Sequence, residues 1–201
     1  MCVDIPGHPS DLRPFLTAKS PTPIPVGDVV RLDLLIQLAL DPAVTAIEHV
    51  ASVTLCGVAY PLDLLLATRG NARLILDIGP PLRDLDDEGT LLLAADELRA
   101  MIVPLSSDQV QALPRSSNAR LIWAYRKRLV PADGRERIFA AIENDGDCTV
   151  ASLGFGLRDW VFALACEGAV TIDIDRDPIV DARVCLGRFA PVPPLRSHAP
   201  R

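Results

Sequence analysis

One stretch constrains the fold of this chain more than any other: residues 60–79, YPLDLLLATRGNARLILDIG. Two apolar runs, 62–66 and 74–78, flank Thr68, Arg69, Gly70 and Asn71, which are turn-formers. Gly70 can adopt positive φ at no steric cost, so the pattern predicts a β-hairpin. Each arm carries one acidic residue, Asp63 in the first and Asp77 in the second. A carboxylate inside an apolar strand costs free energy to desolvate unless it is paired, hydrogen-bonded or bound to a metal. The two interrupt their strands at matched depth. They are therefore expected to approach each other on one face of a mixed sheet.

The chain of 201 residues is 49% apolar and 23% charged, enough to build a packed core. No apolar run reaches the ~18 residues of a membrane helix. The N-terminus lacks a basic region followed by an apolar core, so no signal peptide is expected. Cys2, Cys56, Cys148, Cys166 and Cys185 are scattered and contain no CxxC pair, which reads as reduced, buried thiols in a cytoplasmic protein. Charge is unevenly placed. Residues 1–111 hold 7 basic and 15 acidic side chains, and residues 112–201 hold 13 and 11. This asymmetry argues for two units, neither basic enough for strong nonspecific binding to nucleic acid.

In chain order, residues 1–26 hold six prolines and read as an extended, disordered arm. Residues 28–40 have helical periodicity with Asp28 as N-cap, interrupted by the polar Arg31, Asp33 and Gln37. Strands follow from 44 to 78, giving an α-β-β-β unit. Residues 83–89, RDLDDEG, read as a solvated acidic loop, 90–100 as a helix capped by Thr90, 101–105 as a short buried strand, and 106–113 as a helix. The segment 113–118, LPRSSN, is the expected domain boundary. It separates a first domain, 27–112, from a second, 119–188, with 189–201 a disordered tail.

Residues 120–129 gather Arg120, Arg126, Lys127 and Arg128 around Trp123 and Tyr125. Such a segment either grips phosphates and stacks on bases, or is a linker helix with Trp123 in the core and its arginines in water. A helix over 131–143, a helical turn over 149–153, a helix over 158–167 and strands over 170–174 and 182–186 follow the order of a winged helix. The third helix of this unit, with WVFALAC, is expected to be mostly buried. It leaves Arg158 as its one basic group near the start, and the wing carries Asp173, Asp175, Asp177 and Asp181.

The helix RLDLLIQLALDPAV, the strand AIEHVASVTL, the hairpin 60–79 and the later RSSNARLIWAYRKR together resemble the TnsA-type endonucleases of transposons, over about residues 28–188. The resemblance implies an α/β (α+β) chain: a restriction-endonuclease-like mixed-sheet domain followed by a C-terminal winged-helix domain. It also implies a catalytic site of an early-helix Glu, a first-strand Asp and a second-strand Asp/Glu-x-Lys. These fall near Arg31, on Asp63, on Asp77 and on Gly79. One ligand position thus holds a cation and the lysine position holds glycine.

A Mg²⁺ nuclease needs two or more carboxylates on its metal, and its Lys orients water and offsets developing charge. Asp63 and Asp77 alone are expected to hold Mg²⁺ only weakly, and an ion pair of Arg31 with Asp63 or Asp77 can fill the site instead. The resemblance therefore implies a TnsA-like pseudoenzyme, a DNA- or protein-binding subunit in transposition. Its partners would be a transposase, an AAA+ ATPase, or DNA held weakly at phosphates by Arg120, Arg126, Lys127, Arg128 and Arg158. An active metal-dependent endonuclease and a winged-helix transcriptional regulator are the alternatives.

Overall fold

The computed structural model describes residues 14–78 and 84–187. The chain is a mixed α and β protein whose first half is a four-stranded mixed sheet. Helix α1, Val29–Leu40, starts where the sequence requires: the Asp28 carboxylate accepts from the Arg31 N–H at 2.8 Å. Strands β1, Val44–Leu55, β2, Val58–Arg69, and β3, Ala72–Asp77, form an antiparallel meander. Helix α2, Leu85–Leu98, crosses over to β4, Met101–Pro104, which lies parallel to β3. The sheet order is β1-β2-β3-β4.

Helices cover both sheet faces. Leu65, Ala67 and Leu76 belong to the core that holds α1, whereas Leu66 and Ile75 pack with Leu91 and Ala95 of α2. Burial on both faces explains why these strands read as continuous apolar runs rather than alternating ones.

Four expectations are corrected here. The hairpin turn is only Gly70 and Asn71, with Gly70 at φ +61°; Thr68 and Arg69 belong to β2. The acidic segment expected as a loop opens α2. Asp84 caps that helix by accepting from the Asp87 N–H, and Asp86, Asp87 and Glu88 occupy its first turn. Carboxylates there oppose the positive end of the helix dipole, so a cluster of them marks a helix start as well as a loop. Thr90 is accordingly inside the helix, not its cap.

The third correction concerns residues 14–26, which are structured rather than a disordered arm. Phe15, Ile24 and Val26 are buried, Phe15 and Ile24 form an antiparallel bridge, and Phe15 stacks on Trp123 at 5.0 Å. The Lys19 ammonium donates to the carbonyls of Leu38 and Asp41, at the C-terminal end of α1. Proline excludes helix from this stretch but does not exclude burial of the apolar residues between prolines. Residues 1–13 lie outside the described residues, as does the expected tail.

The second half holds α3, Ser107–Val110; α4, Arg115–Trp123; α5, Ala132–Asn144; α6, Phe155–Cys166; and a two-stranded sheet of β5, Val170–Ile172, with β6, Val184–Leu186. Residues 149–153 form the expected single helical turn, the Leu153 N–H donating to the Thr149 carbonyl at 3.3 Å, and Thr149 bridges to Arg183 beside β6. Within α6, Val161, Phe162, Ala163, Leu164 and Ala165 are buried, as expected for WVFALAC.

The fourth correction is at the boundary. Residues 113–118 run into α4, with Ser116 and Asn118 buried, and one core extends from Phe15 and Leu35 through Trp123 to Phe162. Among the described residues no helix is long and apolar enough to cross a membrane.

Candidate functional site

The site lies where α1 meets the sheet. Arg31 is in the first turn of α1, His49 is in β1 and Asp63 is in β2. The Arg31 Nη1 donates to Asp63 Oδ2 at 2.6 Å, and His49 Nε2 lies 2.7 Å from Asp63 Oδ1. Both carboxylate oxygens are thus engaged. The Arg31 and His49 side chains are 12% and 17% exposed, while Asp63 is 67% exposed. The hydrogen bond from Arg31 holds the Asp63 carboxyl below its ordinary value; partial burial opposes this, and His49 adds to it. Arg31 Nε and Nη2 are buried and have no hydrogen-bond partner among the described residues.

Pairing explains how His49 arrives there. Counting back from the turn at Cys56 and Gly57, where Leu55 pairs with Val58, would set Asp63 opposite Val50. The register shifts between Val50 and Ser52, so Val50 pairs with Leu64 and His49 with Leu65. Side chains two apart on a strand share a face, so His49 and Asp63 become diagonal neighbours. The sequence reading gave His49 no role. Its only signal was a polar residue in an apolar strand, and the shift that aims it is not written in the hydrophobic pattern.

The expected convergence of Asp63 and Asp77 is not found. Leu66 pairs with Ile75, and both pack against α2; Asp77, two residues beyond Ile75, lies on that same face. Asp63 is bonded to α1 and so lies on the other face. The physical reason is the odd register offset: extending the pairing sets Asp77 opposite Leu64, not Asp63. As a metal pair Asp63 and Asp77 are therefore corrected. Among the described residues no group of three or more His, Cys, Asp or Glu is placed to hold a metal ion. Gly79, at the lysine position, lies outside the described residues.

The five basic residues named for DNA are not equivalent. Arg120 is locked onto Asp33 of α1, Nε to Oδ1 at 2.6 Å and Nη2 to Oδ2 at 2.5 Å, with Asp33 only 2% exposed. Arg128 pairs with Asp159 at 3.2 Å, and Arg158 lies 3.6 Å from the same carboxylate. Arg126 sits 5.7 Å over the Trp123 ring and donates to its carbonyl. Lys127 is exposed. Among the described residues, Arg126 and Lys127 are therefore the two of the five that no carboxylate answers in an ion pair.

No family model matches the chain, and a search of the curated proteins finds no match.

Proposed function

We propose that this chain is a restriction-endonuclease-like protein whose catalytic centre has become an ion-pair network, and that it acts as a binding subunit in DNA transposition. The observation that carries the reading is the 2.6 Å contact of Arg31 with Asp63. The guanidinium takes one oxygen of the carboxylate on which the resemblance places a metal ligand. A cation so held would have to be displaced before Mg²⁺ could use the carboxylate.

The element order supports the fold part of the proposal. An α-β-β-β-α-β order with sheet order β1-β2-β3-β4 and a helix on each face is the arrangement the resemblance implies for the nuclease unit. The later order of α5, a turn, α6, and the β5 and β6 hairpin suits a winged helix, with the bridge of Thr149 to Arg183 supplying its third short strand.

Three of the five basic candidates are paired internally, so contact with duplex DNA falls to Arg126 and Lys127. It would read phosphate and weaken steeply with salt. The larger share of binding then goes to protein partners, a transposase or an AAA+ ATPase in the setting that the resemblance implies.

The test is incubation of supercoiled plasmid with purified protein and Mg²⁺ or Mn²⁺. The expected result is no nicking above the buffer control. Nicking that Asp63→Ala abolishes would establish the alternative, an active endonuclease.

A further inference from the structure

The face of the sheet that meets α1 is not fully covered. Leu38 of α1, Leu74 of β3, Val103 of β4 and Leu105 beyond it pack against the main core yet stay half-buried. They line a crevice of about 280 Å³ between α1 and strands β2, β3 and β4, to which the buried Leu34 and Ala67 also contribute. A water takes about 30 Å³ of liquid, so the crevice has room for a ligand of about ten non-hydrogen atoms. Concave, mainly apolar surface with a few convergent polar groups is the ordinary form of a small-molecule site.

The polar groups at this crevice are mostly donors. Arg69 ends β2 and Arg115 begins α4, and both line it. Arg115 is held in place: its Nε donates to Oε1 of the buried Gln37 at 3.0 Å, and its Nη1 to Asp175 at 2.7 Å. Among the described residues its Nη2 has no hydrogen-bond partner. Nor has the Arg69 guanidinium, which lies 3.8 Å from Asp41. Asp41 is the one carboxylate among the described residues of the lining, and the Ala43 N–H already donates to its Oδ1. The negative end of α1 would repel an anion, but Lys19 answers it, its ammonium donating to the Leu38 and Asp41 carbonyls. Arg115 stands at the N-terminus of α4, which no side chain caps, so helix dipole and guanidinium add.

We infer that this crevice binds a small apolar carboxylic acid, its body between α1 and the sheet and its carboxylate on Arg69 and Arg115. A carboxylate is what guanidiniums with open donors recognise. A second crevice of about 390 Å³ shares Asp41, Arg69 and Arg115 with the first, and there Asp173 and Asp175 join the lining. Covering carboxylates with an apolar body costs free energy, so the body points the other way, onto Leu74 and Val103. The inference does not rest on the nuclease reading, because none of Arg31, His49 and Asp63 lines the crevice.

Calorimetric titration of sodium octanoate, which has the right size, into the full chain tests it, with acetate and octylammonium as companions. Octanoate is expected to bind once per chain with a dissociation constant below about 1 mM. Acetate lacks the body and octylammonium reverses the charge, so neither should saturate in that range. Two variants act on opposite ends of the ligand. Arg69→Gln, at a side chain 59% exposed, should weaken octanoate binding roughly tenfold or more, the loss of one charge-assisted hydrogen bond. Val103→Phe fills the crevice and should abolish binding. Far-UV spectrum and melting temperature check that each variant folds, and either one that folds decides. Octanoate that does not saturate the wild type, octylammonium that binds as well, or a folded variant that binds octanoate like the wild type overturns the inference.

Discussion

Three polar residues interrupt the apolar face of α1, and each has become a tether. Arg31 holds Asp63 of the sheet, Asp33 holds Arg120 of α4, and Gln37 donates to the Val110 carbonyl at 2.7 Å while accepting from Arg115. The Asp33 tether carries the largest expected cost. Removing Arg120 leaves a buried carboxylate without its counter-charge, so Arg120→Ala is expected to lower stability by about 3 kcal/mol in urea denaturation. Lys127→Ala, a few residues on and exposed, should stay within about 0.5 kcal/mol.

Asp63 gives a pH signature. Its folded-state carboxyl is held below the ordinary value, so the stabilisation it contributes is complete above the unfolded-state value of about 3.9 and is lost as pH falls through the folded one. The stability difference between wild type and Asp63→Asn should therefore be flat from pH 7 down to about 4.5 and shrink below that. A difference that shrinks between pH 7 and pH 5 would assign the stabilisation to another group.

Among elements, α5 packs closely on α6. A Cβ built on Gly134 would meet two ring carbons of Trp160 at 2.6 Å. Alanine is a better helix former than glycine by about 1 kcal/mol, but overpacking against an aromatic ring costs about 1–3 kcal/mol. Gly134→Ala should thus lower the melting temperature, and a rise would mean that the ring moves freely.

The elements themselves were unequally legible in sequence. Helix α1 could be read because Asp28 is a strong cap and its apolar spacing is regular. The start of α2 could not, because Asp86, Asp87 and Glu88 favour a helix N-terminus and a solvated loop alike. The strands were legible as strands. Which face each carboxylate takes was not, since a one-residue register offset moves a side chain to the other side and the apolar runs around Asp63 and Asp77 are buried on both faces. The ion pair of Arg31 was within reach of sequence reasoning; the part of His49 in it was not.

At the scale of the whole molecule, the largest core cluster draws on both halves of the chain. Phe15 from the N-terminal segment stacks on Trp123 of α4, and Asn118 donates to the carbonyls of Ile174 and Arg176 near β5. A charge asymmetry between the halves of a chain suggests separate units, yet here α4 is packed into both. Calorimetry should therefore show one cooperative transition rather than two. Phe15→Ala should shift that whole transition, by about 3–5 kcal/mol, rather than loosen the first half alone.

The central claim is that Arg31 has taken the place of a metal at Asp63. Its most direct test is a calorimetric titration of Mn²⁺ into the wild-type protein and into Asp63→Ala. The account predicts no saturable binding to either protein below about millimolar Mn²⁺, because a carboxylate shared by a guanidinium and an imidazole offers a divalent ion too little. Saturable binding to the wild type that disappears in Asp63→Ala would contradict it.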